Sequence, residues 1–359
     1  MISDMQPADF FPRVQAPDEQ VADAARAMQL TLTKPTGSLA RLEDVGVWLS
    51  ACQRQVPPRK LVQPRLVVFA GDHGIAIKGV SPYPKEVSIQ MAVNINAGGA
   101  GVNAIANASG IGIRVADISL DHDVSGPERV CRGSGCIDVE DAMTPEQLVA
   151  AIEVGKRIAD QEIDNGADVL MAGDLGIGNT SPSAVIVGLL TNNEPVVVTG
   201  RGSGVDDEGW KRKVAVVRDA MFRARGDKGD ILAIMRKVTS PELVAMAAFL
   251  AQAAVRRTPI ILDGVVVTAA AMLADRLAPG ARKWMVAGHQ SAEPAHQFAL
   301  EYLGLKPLLQ LGMRLGEGSG AAAAYPLLVM AANIMNDMAT FESAAVSGKD
   351  AVPEDRFAD

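Results

Sequence analysis

Short apolar runs alternate with helical periodicity through the middle of the chain. Arg65–Ala70 reads RLVVFA, rich in β-branched residues, and closes in Gly71-Asp-His-Gly74. The same grammar recurs at Gly112–Ile118, Asp168–Gly173, Pro195–Gly200, Pro259–Asp263, Trp284–Gly288 and Leu308–Gly312. Each run passes through a glycine-containing polar bend into a helical stretch. Such runs, apolar on both faces, predict the strands of a mostly parallel sheet covered by helices on either side, an α/β fold. Crossovers in such a sheet are right-handed. The alternation has no fixed period, so it is not a repeat array.

Outside this region the pattern is helical. Ala16–Leu32 and Leu39–Ala51 read as two helices, with Ser38 placed to cap the second. Near the other end, an apolar run at Leu305–Leu311 has the look of a buried strand and leads to a helical pattern over Ala321–Met338. The terminal helices lack strand partners. They predict a small helical domain, residues 1–60 together with 321–359, beside an α/β domain of residues 61–320. Residues 1–16 and 345–359 read as a loose lead-in and tail.

Composition narrows the function classes. A chain of 359 residues, 48% hydrophobic, is long enough for two domains with a substantial core. Its net charge of −8 offers no basic face for nucleic acid or an anionic membrane. An anionic small molecule stays open, because backbone N–H groups can hold phosphate. Three cysteines, Cys52, Cys131 and Cys136, in spacings that suit neither a disulfide framework nor a zinc site, predict a reducing cytoplasm and no metal. No apolar segment reaches the ~18–20 residues that span a bilayer.

In open α/β sheets ligands bind outside the carboxyl ends of the strands. Those ends carry the unusual polar residues here: Asp72 and His73, Asp174, Arg201 and Ser203, Asp263, His289 with Ser291 and Glu293, and Glu317. Two bends suit an anion. One is Gly173-Asp-Leu-Gly-Ile-Gly-Asn-Thr-Ser181; the other is Thr199-Gly-Arg-Gly-Ser-Gly204, followed by a helix with Lys211 and Lys213. Neither is a Walker A or a dinucleotide fingerprint. The Asp72-His73 pair reads as structure or as a polar pocket wall. Gly79–Met91 enters a helix at Pro84 and presents Ser81, Tyr83, Gln90 and Met91, which suits one wall of a flat aromatic pocket or an ordinary amphipathic helix.

Glu317 stands between Gly316 and Gly318 where the bend meets the last helix. Two readings are open. It is either a first-turn acid of that helix, or a buried carboxylate whose pKa suits a general base near neutral pH.

Taken together, Thr33-Lys-Pro-Thr-Gly-Ser-Leu, Ala70-Gly-Asp-His-Gly-Ile, Gly79-Val-Ser-x-Tyr-Pro, Gly176-Ile-Gly-Asn-Thr, Gly202-Ser-Gly-Val-Asp-Asp, Ala287-Gly-His-x-Ser-x-Glu-Pro, Leu315-Gly-Glu-Gly-Ser-Gly-Ala and Met338-Ala-Thr-Phe341 resemble the nicotinate-nucleotide–dimethylbenzimidazole phosphoribosyltransferase family. The motifs run in order through nearly the whole chain. The resemblance implies a Rossmann-like sheet, a homodimer, no metal or other cofactor, and phosphoribosyl transfer from nicotinate mononucleotide to 5,6-dimethylbenzimidazole. It implies Glu317 as the base that takes the benzimidazole proton. Ser81, Tyr83, Gln90 and Leu315 are implied in the acceptor pocket. Gly176, Gly178, Asn179, Thr180, Gly202, Ser203 and Lys213 are implied in the grip on phosphate and ribose. Asp263, His289 and Ser291, at the same strand ends, are expected to bind substrate as well. The family usually has Glu where this chain has Asp174, so Asp174 is an auxiliary acid, and Asp174→Glu is expected to keep or raise activity. Competing expectations are transfer to another base or a phenol, a non-catalytic nucleotide binder of the same fold, and a dinucleotide-dependent oxidoreductase, which the missing fingerprint disfavours.

Overall fold

The computed structural model describes residues 5–347. Among them, β1 (Pro64–Gly71), β2 (Gly112–Ser119), β3 (Val169–Leu175), β4 (Ile260–Leu262) and β5 (Met285–Ala287) form one parallel sheet in the order β2-β1-β3-β4-β5. The apolar runs become strands because helices cover both faces. Leu66–Ala70 and Val169–Ala172 are entirely buried. Phe69 of β1 packs edge-on against Phe249 of the helix Pro241–Val255, ring centroids 5.3 Å apart. That helix also crosses the helix Pro145–Asp164 so closely that a Cβ at Gly155 would lie 2.0 Å from the Ala245 carbonyl oxygen.

From β1 the chain moves outward to β2, then returns past β1 to β3 on its other side. The strand order therefore reverses between β1 and β3, which opens a crevice above their carboxyl ends. Register places Phe69 opposite Asp174 and Ala70 opposite Leu175 there.

The chain divides into two compact units. One holds the sheet, with the first sixteen residues and Gln63–Tyr325; the other is Pro17–Val62 with the segment from Pro326. In the second unit, the helix Glu19–Thr31 starts at Asp18, whose side chain accepts from the Gln20 and Val21 N–H groups. It packs with the helix Arg41–Gln53 and the later turns of the helix Ser319–Asp337 through Ala22, Ala25, Val47, Ala51 and Met335.

Several expectations fail. The stretch Pro195–Gly200 is no strand: Pro195 opens a single helical turn, Pro195–Val198. Proline fits the first helical position, and four residues are too few for a period to show. Leu308–Gly312 makes only an isolated parallel bridge, Leu309 to His289. Its Leu311 is 60% exposed, because Lys306, Pro307 and Gln310 interrupt the run at the sheet's edge. The lead-in is not loose over its described residues. Pro7–Phe10 is helical, Phe10, Phe11 and Val14 are buried, and the Trp284 indole donates to the Gln15 carbonyl at 2.8 Å. Ala40, not Ser38, occupies the N-cap position of the helix at Arg41, and no side chain caps it there. Most of the tail lies outside the described residues.

Candidate active site

The crevice at the β1/β3 reversal is a cavity of about 660 Å³, the size that holds a small molecule. Its floor is the first glycine bend. As β3 ends, Gly176 crosses the end of β1 so closely that a Cβ would lie 2.1 Å from the Gly71 carbonyl oxygen. Only glycine lets the chain pass. The bend feeds the helix Thr180–Thr191, so Gly176, Gly178, Asn179 and Thr180 line the cavity at a helix N-terminus. That arrangement can hold an anion with backbone N–H groups.

The second bend faces it. Gly202 and Ser203 line the cavity. The Gly202 N–H donates to Glu293 Oε1 at 2.8 Å. Lys213, on the helix Asp207–Arg223, is fully buried behind both bends and donates from Nζ to Thr180 Oγ1 at 2.7 Å. Burial lowers its pKa, with Glu293 opposing. Lys213 thus acts on the cavity through Thr180 and does not line it. Ser81 also lines the cavity, with its Oγ 3.3 Å from Ser203 Oγ.

The third element is the turn at Glu317. Gly316, Glu317 and Gly318 all have left-handed backbones, with φ of 80°, 61° and 86°. For glycine this is free; for Glu317 it costs of order 1–3 kcal/mol. The turn is held from behind. The Glu317 N–H donates to the Asp174 carbonyl at 3.2 Å. Asp263 accepts from the Gly318, Gly320 and Ala321 N–H groups at 3.0, 2.6 and 3.2 Å. Asp263 therefore serves the start of the last helix, and Glu317 does not. The Glu317 side chain reaches instead toward another helix, Gly101–Asn107, where its Oε2 accepts from the Val102 N–H at 3.4 Å. It lines the cavity and is 5% exposed. Burial raises its pKa, and the Val102 N–H opposes this.

Asp174, also on the lining, accepts from Asn179 Nδ2 at 2.6 Å. Burial pushes its carboxyl well up, and the charges of Asp263 and Glu317 add to this. The two neighbouring carboxyls therefore titrate as a coupled pair, with Asp174 the more strongly raised of the two.

Val87, Met91, Tyr83 and Leu315 supply apolar lining. Gln90 does not contribute: it is exposed and outside the lining. One residue advances a helix by about 100°, so on the helix Val87–Asn96 the inward position belongs to Met91. Ser291 lines the cavity, and its N–H donates to His296 Nδ1 at 2.8 Å. His289 and Asp263, expected to bind substrate, sit behind the lining and hold main chain. His289 Nε2 accepts from the Leu311 and Met313 N–H groups at 3.2 and 3.3 Å, and burial lowers its pKa, which suits an acceptor nitrogen. His73 lies buried beneath the first bend, 3.1 Å from Glu242. Burial pushes the Glu242 carboxyl up, but His73 beside it and the hydrogen bonds from His73 and Ser240 together hold it below the ordinary glutamate value. The Asp72-His73 pair is thus structure and not cavity wall. Among the described residues no group of three His, Cys, Asp or Glu side chains is placed to hold a metal ion.

This geometry can grip a phosphate on one side and present a buried carboxylate on the other. A family model described as phosphoribosyltransferase matches residues 14–346, a span that takes in the whole lining. A protein from Corynebacterium efficiens named nicotinate-nucleotide–dimethylbenzimidazole phosphoribosyltransferase is 62% identical over 346 residues, covering 96% of this chain and 94% of its own. The chain belongs to the nicotinate-nucleotide–dimethylbenzimidazole phosphoribosyltransferase family. A Mycobacterium avium member is 55% identical, covering 96% and 99% of the two chains. The crystal structure of the Thermus thermophilus member superposes with a TM-score of 0.87 at 40% identity, over 92% of this chain and 99% of that one. Sequence reasoning named Glu293 among the strand-end acids but gave it no role, and it missed the charged lining residue Arg314. Arg314 was detectable by asking which cation near Glu317 could balance an anionic substrate.

Proposed function

We propose that this chain transfers the 5-phosphoribosyl group of nicotinate mononucleotide to 5,6-dimethylbenzimidazole, giving α-ribazole 5′-phosphate and nicotinate. The observation that carries the reading is Glu317 itself. It is released from helix capping by Asp263, buried, and set in one cavity with both glycine bends.

The bends hold the phosphate, with Thr180 backed by Lys213. The C1′–N bond to the nicotinate ring breaks, and its electron pair returns to the pyridinium nitrogen. Nicotinate is therefore a good leaving group and C1′ approaches an oxocarbenium ion. A benzimidazole nitrogen lone pair attacks the opposite face, which inverts C1′ from β to α. The benzimidazole N–H proton passes to Glu317. The base contributes roughly 10²–10⁴-fold, and holding acceptor and sugar in line contributes the larger share. Met91 and Leu315 bound the acceptor with apolar surface, and Met91 adapts to the outline of the base.

The reading extends to a homodimer in the cytoplasm; no described helix is long and apolar enough to cross a membrane. The test mixes purified protein with both substrates. Nicotinate release that requires dimethylbenzimidazole, with one α-ribazole phosphate formed per nicotinate, is the expected result. No release, or release without the acceptor, overturns the reading. Sedimentation equilibrium checks the dimer.

A further inference from the structure

We infer that Arg314 selects the donor by pairing its guanidinium with the carboxylate of the departing nicotinate. This rests on the phosphoribosyl-transfer reading above and adds a specificity residue to it.

Arg314 is the one Lys, Arg or His among the described residues that line the cavity, where Asp174, Glu293 and Glu317 are also present. Its Nη1 donates to the Gly202 carbonyl oxygen at 3.1 Å, which leaves most of a five-donor fork available. The direction of the side chain matters. Leu315 reaches toward Gly101, where a Cβ would lie 2.9 Å from its Cδ2, and Glu317 reaches the Val102 N–H. Both point to the side of the cavity where the base and the acceptor meet. Arg314, from the same loop, reaches the second glycine bend instead.

In a displacement that inverts C1′, acceptor and leaving group occupy opposite faces of the sugar. Arg314 reaches a different part of the cavity from Leu315 and Glu317, which leaves that part for the departing ring. The phosphate already has a helix N-terminus, the Thr180 hydroxyl and the buried Lys213 behind it. The nicotinate carboxylate has no other cation in the lining, and leaving it unpaired among three acids is costly. A guanidinium answers a carboxylate with two parallel hydrogen bonds. The carboxylate keeps its charge as the ring departs, so the pair is equally strong before and during bond cleavage. Its loss falls on affinity and KM more than on kcat.

The experiment measures binding to the wild type, Arg314→Met and Arg314→Lys by titration calorimetry. The probes are nicotinate mononucleotide, its amide analogue nicotinamide mononucleotide, and nicotinate riboside, which lacks the phosphate. Arg314→Met is expected to weaken both nicotinate compounds by about 30- to 1,000-fold and the amide by less than about 5-fold. Arg314→Lys should recover part of the loss, and kcat at saturating donor should change little. An equal loss for acid and amide, a loss confined to the two phosphorylated probes, or no loss at all overturns the assignment. If Arg314→Met is poorly folded by thermal unfolding, Arg314→Lys carries the same comparison. Should the wild type bind the donor yet release no nicotinate with dimethylbenzimidazole, the transfer reading falls while the carboxylate assignment is still decided by binding.

Discussion

Asp263 takes the helix start that lies beside Glu317, and this division of labour leaves Glu317 for the cavity. Three backbone N–H groups, of Gly318, Gly320 and Ala321, converge on the Asp263 carboxylate. Asp263→Ala strips all three of their acceptor in a buried place. It should cost on the order of 2–4 kcal/mol and lower kcat as the turn loosens, read by urea unfolding and steady-state kinetics.

The same carboxylate makes a pH prediction for stability. Burial pushes Asp263 from 3.8 up to about 6, against the pull of its N–H donors. The folded state then binds a proton that the unfolded state has already lost. The contribution of this group is therefore greatest at low pH and falls as pH rises from about 4 to about 6, by on the order of 3 kcal/mol. Asp263→Asn should flatten that component. Urea midpoints at pH 4.5 and 6.5 for both proteins check it; equal changes in both would sink the idea.

Glu317 and Asp174 should respond differently to removal of charge. Glu317→Gln should lower kcat by roughly 10²–10⁴-fold with little change in nucleotide binding. Asp174 is the more strongly raised of the two, so a neutral Asn in its place should retain activity within about tenfold. In the proposed mechanism the ionised Glu317 is the active form, and its pKa is raised by burial. The acid limb of kcat/KM should therefore lie above the ordinary glutamate value of 4.5, with activity falling as pH drops through it. A pH profile of Asp174→Asn that keeps this limb assigns it to Glu317; loss of the limb reverses the roles.

How far the sequence was readable follows from what each residue touches. The runs at 65–70, 112–118 and 168–173 announce strands because both faces are covered, so apolar residues fill every position. Pro195–Val198 has the same apolar residues and forms a helical turn, because only its surroundings decide. Glu317 stands out between two glycines that permit its left-handed turn. Asp263 and His289 look like ligand-binding residues at strand ends, yet their partners are main-chain N–H groups far along the chain, 55 residues on for Asp263 with Gly318. Gln90 and Met91 differ by one helical step, which a motif does not resolve. The first sixteen residues read as loose because Phe10, Phe11 and Val14 show no period, although each is buried.

The crossing of β1 by the first glycine bend should tolerate no side chain. A Cβ at Gly176 would meet the Gly71 carbonyl at 2.1 Å and His73 Nε2 at 3.0 Å. The first is backbone in the sheet and cannot yield. Gly176→Ala should displace the bend and weaken nucleotide binding by more than about tenfold, while Gly226→Ala, where nothing lies near, should leave it unchanged. Equal affinities in the two variants would show that the bend is not the nucleotide grip.

His289 positions the loop that carries Arg314 and Leu315. Its Nε2 receives two N–H groups, from Leu311 and Met313, while those residues are themselves exposed or half-buried and make little packing of their own. A loop held by so few groups depends on them. Burial keeps the ring neutral, and a neutral ring with its proton on Nδ1 is what both bonds require. His289→Ala should therefore raise KM for the nucleotide by about tenfold or more, since two buried hydrogen bonds are worth about 1 kcal/mol each. His289→Gln, whose amide oxygen can accept in place of Nε2, should restore much of the loss. If the chief effect of His289→Ala were on kcat with KM unmoved, or if His289→Gln gave no rescue, the histidine would act on the chemistry or the core and not through this loop.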